Sequence, residues 1–231
     1  MRLQAFLARS GAAPSRRKAE ALISSGRVAV NGEPVTIGAT VNDEDQVLLD
    51  GTEVTLPTEH AYFALNKPSG YLTTLHDDRG RHTITELMPE VPGLVPAGRL
   101  DYETTGLLIL TNDGKFAHHI THPSTEIEKE YLVTVRNPAS QEAMAALSSG
   151  PELDDGPMLP PELSNLHRSP HETTFHLTIH EGRNRIIRRA CSTVGLRVKF
   201  LKRLRIGSVE VGALPEGTYR SLTSAELEGL K

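Results

Sequence analysis

Arg99, Asp101 and Glu103 stand just before Leu107, Leu108, Ile109 and Leu110, an unbroken apolar run. A run of that kind suits a strand covered on both faces, and Asn112, Asp113 and Gly114 close it as turn residues. A carboxylate at the lip of a buried strand is under electrostatic strain. Desolvation alone raises a carboxyl pKa, by as much as ~3–5 units when burial is complete, and a neighbouring guanidinium offsets that rise. Arg99, two residues before Asp101, points to the same side on an extended chain. A turn-forming Asp is the plainest alternative use of the residue. A hydrolase working through Asp101 and Glu103 is another. Those two carboxylates share one strand face, however, whereas glycosidase carboxylates flank the substrate from opposite sides.

The elements that must hold these residues follow from pattern. Ser15 reads as a helix N-cap, with Ala19, Leu22 and Ile23 at helical spacing until Gly26; Leu3, Phe6 and Leu7 form a second short apolar face. "RVAVNGEPV" alternates about an Asn-Gly turn, a hairpin signal, and "QVLLDG" returns as a strand. The stretch "GTEVTLPTEH" carries turn residues and a proline and is placed as the linker. Beyond it "AYFAL", "GLLILT", "EYLVTV", "TFHLTIH", "VKFLKRLRIG" and "SVEV" read as strands, with helical patterns at 140–147, 184–194 and 224–230. Strands mixed with few helices, without regular alternation, indicate an α+β domain around a largely antiparallel mixed sheet with flanking helices.

Charge is unevenly spread over the 231 residues, whose formal net charge is −4. Residues 1–32 carry +5, residues 179–205 carry +8, and the remainder carries −17. Two basic zones on an acidic chain suit a polyanion partner. Arg16, Arg17 and Lys18 start the second helix, where the macrodipole already places positive charge; a phosphate relieves that conflict. The lone Cys191 lies on an apolar stretch, fits a reducing cytoplasm and excludes an internal disulfide. No apolar window of about twenty residues suggests a membrane span, and no signal-peptide pattern opens the chain. His118 and His122 have the i, i+4 spacing of metal ligands on a helix but no third ligand at an obvious spacing, so no metal is expected.

"ALNKPSGYLTT", "GRLDYETTGLLILTNDG", "HPSTEIEKEYLVTV", "EGRNRIIRR" and "RIGSVEVGALPEGTYRSLTSAEL" occur in that order. They resemble the signature stretches of the RsuA/RluB/RluF class of pseudouridine synthases, and the resemblance covers nearly the whole chain. It implies a small S4-like RNA-binding domain over 1–50, a linker over 51–60 and a pseudouridine synthase catalytic domain over 61–231. It also implies isomerisation of uridine to pseudouridine in ribosomal RNA, with a slight leaning to the large subunit. Neither redox cofactor nor energy source is needed, in keeping with the lack of a Rossmann fingerprint or P-loop. By the same resemblance Asp101 is the nucleophile and Tyr131 stacks on the flipped uracil, its hydroxyl near the departing proton. Arg188 forms the ion pair with Asp101, leaving Arg99 to backbone or phosphate.

Asn66 and Lys67 are expected in the pocket wall, in contact with substrate or RNA. Lys129, Arg183, Arg185 and Arg189 are expected to support the site or contact RNA, and Arg16, Arg17, Lys18 and Arg27 to contact RNA from the first domain. Ile186 departs from the glutamine usual in that class. The implied partner is ribosomal RNA or a ribosomal assembly intermediate, met by a cytoplasmic monomer. The alternative is a ribosome-assembly factor that binds RNA without catalysis.

Overall fold

The computed structural model describes residues 1–230. Helices α1 (Leu3–Arg9) and α2 (Arg16–Ser24) pack beside an antiparallel sheet of β1 (Val28–Val30), β2 (Glu33–Pro34), β3 (Val47–Leu49) and β4 (Thr52–Glu53), in the order β2-β1-β3-β4. The Ser15 hydroxyl accepts from the Lys18 amide, as an N-cap should. Asn31 and Gly32 both have positive φ and join Val30 to Glu33 in a two-residue hairpin turn. Asp50 and Gly51 repeat the device. Thr52 and Glu53, expected in the linker, are therefore a strand, and Val54 and Leu56 pack on the core of this domain beneath Leu3, Leu7, Ala19 and Ile23.

The second part is built on β5 (Tyr62–Lys67), β6 (Val95–Ala97), β7 (Thr105–Thr111), α3 (Gly114–Thr121), β8 (Lys129–Arg136) and α4 (Gln141–Ser148). There follow the small hairpin β9 (Glu152–Leu153) and β10 (Gly156–Pro157), then β11 (Glu162–Arg168), β12 (Glu172–Ile179) and α5 (Ile186–Thr193). The last elements are β13 (Arg197–Ile206), β14 (Val209–Glu210), β15 (Tyr219–Ser221) and α6 (Ser224–Glu228). One sheet runs β11-β12-β8-β13-β7-β5-β15, with β6 on β7 and β14 on β13. The α+β class expected from the strand pattern is the class observed. No described helix is long and apolar enough to cross a membrane.

Strand β7 is buried along its whole length. Leu108 and Leu110 join a core under α4 and α5, while Leu107 and Ile109 face the opposite core, which includes Ile120 of α3. That explains why its sequence is apolar without alternation. It is also where two antiparallel half-sheets meet. β13 pairs with β7 in parallel, Lys202 against Thr105 and Arg203 against Gly106, whereas every other pairing named for this sheet is antiparallel. Gly106 has φ +99°, and a Cβ there would overlap the Arg203 backbone, with the amide nitrogen 2.8 Å away. Only glycine allows this approach. Gly106→Ala is expected to destabilise the protein by about 2–4 kcal/mol, through strain and lost strand pairing, as measured by urea unfolding.

Candidate active site

At the C-terminal ends of β6 and β12 and the N-terminal ends of β7 and β8, the loops enclose a cavity of about 340 Å³. Its walls include Ile120, Ile179, Ile187, Leu201 and Ile206, and its charged lining is six cations (Arg99, Lys129, Arg183, Arg185, Arg188 and Arg203) with a single acid, Asp101. Size and mixed lining suit a small planar group held among a few polar contacts.

Local structure fixes Asp101 tightly. The Thr104 amide donates to the Asp101 carbonyl (3.0 Å), closing a turn just ahead of β7. The segment after β5 straps this turn: the Gly70 amide donates to the Tyr102 carbonyl (2.9 Å), and the Thr73 hydroxyl donates to the Leu100 carbonyl (2.8 Å). Lys67 braces it from below, donating from Nζ to the carbonyls of Pro68 (2.9 Å) and Thr104 (3.0 Å). Lys67 is fully buried, so the expectation of a wall residue open to RNA is corrected. Asn66 is likewise buried, and its Nδ2 donates to the Leu214 carbonyl (2.6 Å), tying β5 to a distant loop rather than meeting substrate. Both belong to β5, whose burial continues through Lys67.

The expected ion pair is also corrected. Arg185, not Arg188, approaches Asp101, with Nη1 3.7 Å from Oδ2. Arg188 reaches instead toward exposed Glu103 (3.9 Å), although it lines the same cavity. The physical reason lies at the start of α5. Arg185 is its N-cap and has φ +49°, a left-handed conformation that turns this residue out of the helical path toward the Asp101 loop. Ile186, Ile187, Ala190 and Cys191 bury the other face of α5. Ile186, where the related class carries glutamine, packs there as core while also lining the cavity. Burial pushes the Cys191 thiol up to about 12, which makes it core rather than nucleophile.

Two further arginines serve the scaffold. Arg189 grips the Asp155 carboxylate with both Nη atoms (2.7 and 2.9 Å). Arg183 donates to Glu181 (2.7 Å), to Asp155 and to the carbonyls of Gly156 and Pro157. These contacts bind the β9–β10 hairpin to the loop before α5, so Arg183 and Arg189 act as a clamp. Arg27 pairs similarly with Asp50. Arg16, Arg17 and Lys18 are exposed, with no ion pair among the described residues. Arg99 is exposed at the cavity mouth. His118 and His122 stack at 4.8 Å, and no group of three or more potential ligands is placed to hold a metal among the described residues.

The cavity floor comes from the sheet. Lys129 and Tyr131 share one face of β8, and Tyr131 lies opposite Arg203 of β13. Arg203 donates from Nη1 to the Tyr131 hydroxyl (3.4 Å) and from Nε to the Leu107 carbonyl (2.7 Å). Sequence reading missed Arg203; its strand neighbours are basic and it carried no separate signal. Lys129 donates to the Ile127 carbonyl (2.8 Å); burial chiefly, and then the Arg203 charge, lower it to about 8. Lys67 is also lowered to about 8, by burial first, with the nearby Asp101 charge opposing and Arg203 assisting the fall.

Residues 61–193 match the family model for RNA pseudouridylate synthase, and residues 1–55 match the S4 domain. The chain belongs to the RNA pseudouridine synthases, which are isomerases. Among its relatives is the Bacillus subtilis protein named ribosomal large subunit pseudouridine synthase B, 41% identical across all of this chain and 95% of that one. An Aquifex aeolicus RNA pseudouridine synthase is 44% identical over all of this chain and 93% of its own. A crystal structure of a pseudouridylate synthase aligns over the whole of both chains, with a TM-score of 0.70 and 34% identity.

The Lys67 shift has a consequence for stability. Below about pH 8 the folded state holds a buried charge; between about 8 and 10.5 it releases that proton before the unfolded chain does. The unfolded state then binds more protons, so the Lys67 contribution to stability rises with pH through that window. Wild type should therefore gain stability relative to Lys67→Met between pH 7 and pH 9.5, as read from paired urea titrations.

Proposed function

We propose that this protein converts a uridine of ribosomal RNA, in the large subunit, to pseudouridine, with Asp101 as the nucleophile. The observation that carries the reading is that Asp101 is the single acid in a cavity otherwise lined by cations and apolar side chains. The large-subunit assignment is supported by the name of the Bacillus subtilis relative.

The reaction needs no outside reagent. The bond from C1′ of the ribose to N1 of uracil breaks, a bond from C1′ to C5 forms, C5 loses a proton and N1 gains one. A nucleotide leaving its stack for the cavity places its base among the isoleucines and beside Tyr131. The Asp101 carboxylate attacks C1′ as the bond to N1 breaks and leaves it as the bond to C5 forms, with Arg185 and Lys67 balancing its charge. Tyr131 stands where the C5 proton departs. Arg99 and Arg185 at the mouth suit the flanking phosphates, and Arg16, Arg17 and Lys18 give the first domain its own phosphate contacts. The site of action is then the cytoplasm, with the rRNA.

Mapping of pseudouridines in rRNA before and after incubation with the protein tests the activity and identifies the uridine. Asp101→Asn should keep the fold and RNA affinity but abolish turnover. Activity within about tenfold of the parent, a barrier change under ~1.4 kcal/mol, would overturn the nucleophile assignment. Reversing the charges of Arg16, Arg17 and Lys18 should weaken rRNA binding and flatten its salt dependence, with a smaller effect on turnover at saturating RNA. Titrations at several salt concentrations check this, and an unchanged slope would remove the first domain from the RNA interface.

A further inference from the structure

Arg203 is 4% exposed, yet it forms no ion pair among the described residues. A guanidinium carries five donor hydrogens and no acceptor. The Nε and Nη1 atoms have partners in Leu107 and Tyr131, while Nη2 is buried without one. Leaving a buried cation part-satisfied is costly, and a tightly paired Gly106 is needed merely to bring this strand into place. Two other buried atoms without partners, Thr104 Oγ1 and Arg188 Nε, also belong to cavity-lining residues. Residues with unmatched polar atoms thus gather around this one space.

The cations of the cavity differ in depth. Arg99 is exposed, the Arg185 side chain is 47% exposed and that of Arg188 13%, with Arg203 deepest. A phosphate, strongly hydrated, meets the outer arginines. Around Arg203 the walls combine the apolar Leu201 and Ile206 with the Tyr131 hydroxyl and Lys129, which suits a planar base whose edge needs a donor.

Resting on the functional reading above, the geometry points to Arg203 as the donor to a carbonyl oxygen of the flipped uracil, both before and after the base turns. Uracil is close to two-fold symmetric in this respect. A half-turn about the axis through N3 and C6 exchanges N1 with C5, as the new bond requires, and exchanges O2 with O4. One fixed donor on the floor therefore meets a carbonyl in each orientation. In cytosine the same turn replaces one carbonyl by an amino group, and the Arg203 guanidinium would then face another donor. Arg203 is thus a base-binding residue that selects a pyrimidine able to turn.

The test uses the full-length protein and an rRNA fragment containing the mapped uridine, with that uridine replaced in turn by 2-thiouridine and 4-thiouridine. Sulfur is a poor acceptor, so wild type should slow about tenfold or more on each thio substrate in single-turnover assays. Arg203→Met should lose about 100-fold or more on uridine and largely lose the distinction between oxygen and sulfur, while Arg203→Lys should recover part of both. Arg203→Met within about threefold of the parent would overturn the proposal. So would a slow Arg203→Met with both thio penalties intact, because Arg203 would then act only through Tyr131 or packing. If Arg203→Met fails to fold, the thio penalties of Arg203→Lys decide: reduced penalties support the assignment and unchanged ones overturn it. No turnover of uridine by wild type would overturn the functional reading itself, whereas turnover without any thio penalty would remove only Arg203.

Discussion

The close approach of Gly106 to the Arg203 backbone holds the site together. On one side of that seam lie β5, β6, β7 and β15, with the Asp101 turn at the head of β7; on the other lie β8, β12 and β13, with Tyr131 and Arg203. Neither half has a complete cavity. The parallel pairing brings the carboxylate of one half over the floor of the other, and the Arg203 bond to the Leu107 carbonyl crosses the same seam. A side chain at position 106 would separate the strands where the chemistry requires them to touch.

The arginines around the cavity divide their work by what they have to bond. Arg183 and Arg189 lie next to acceptors supplied by Asp155, Glu181 and the β9–β10 hairpin, and their forks are occupied. Arg185 and Arg188, between them in sequence, stay loosely paired at 3.7 and 3.9 Å. The clamp holds the loop rigid while leaving two cations available to an incoming polyanion. Lys67 illustrates the converse: its charge is costly to bury, yet it fastens the Asp101 turn from beneath. Stability is given up at the point where position matters most, a common feature of functional sites.

Much of this was legible in the sequence. The Asn31-Gly32 turn, the Ser15 cap and the apolar strand after Asp101 declare themselves through local chemistry. So does the apolar face of α5, and the order of motifs brings Asp101, Tyr131 and Arg188 to one cavity. Side-chain partners were less legible. The exchange of Arg188 for Arg185 beside Asp101 depends on a left-handed arginine, which residue type does not announce. The fates of Arg27, Arg183 and Arg189 depend on Asp50 and Asp155, carboxylates brought close only by the fold. β11 escaped notice because it is largely exposed and mostly polar, and α3 because it starts at a glycine and carries two histidines. Burial hid Arg203, since a run of basic residues reads as surface until the sheet is assembled.

The seam also bears on how the protein is made. Asp101 leaves the ribosome well before Arg203 and Ile206. Nearly a hundred residues separate the two strands that must pair, so the loop between them closes late and at an entropic cost. The N-terminal helices and their small sheet have no such delay and can form while synthesis continues. A nascent or truncated chain therefore has its S4 domain folded before it has the cavity that Asp101 lines. The small first domain precedes the cavity in the life of each molecule.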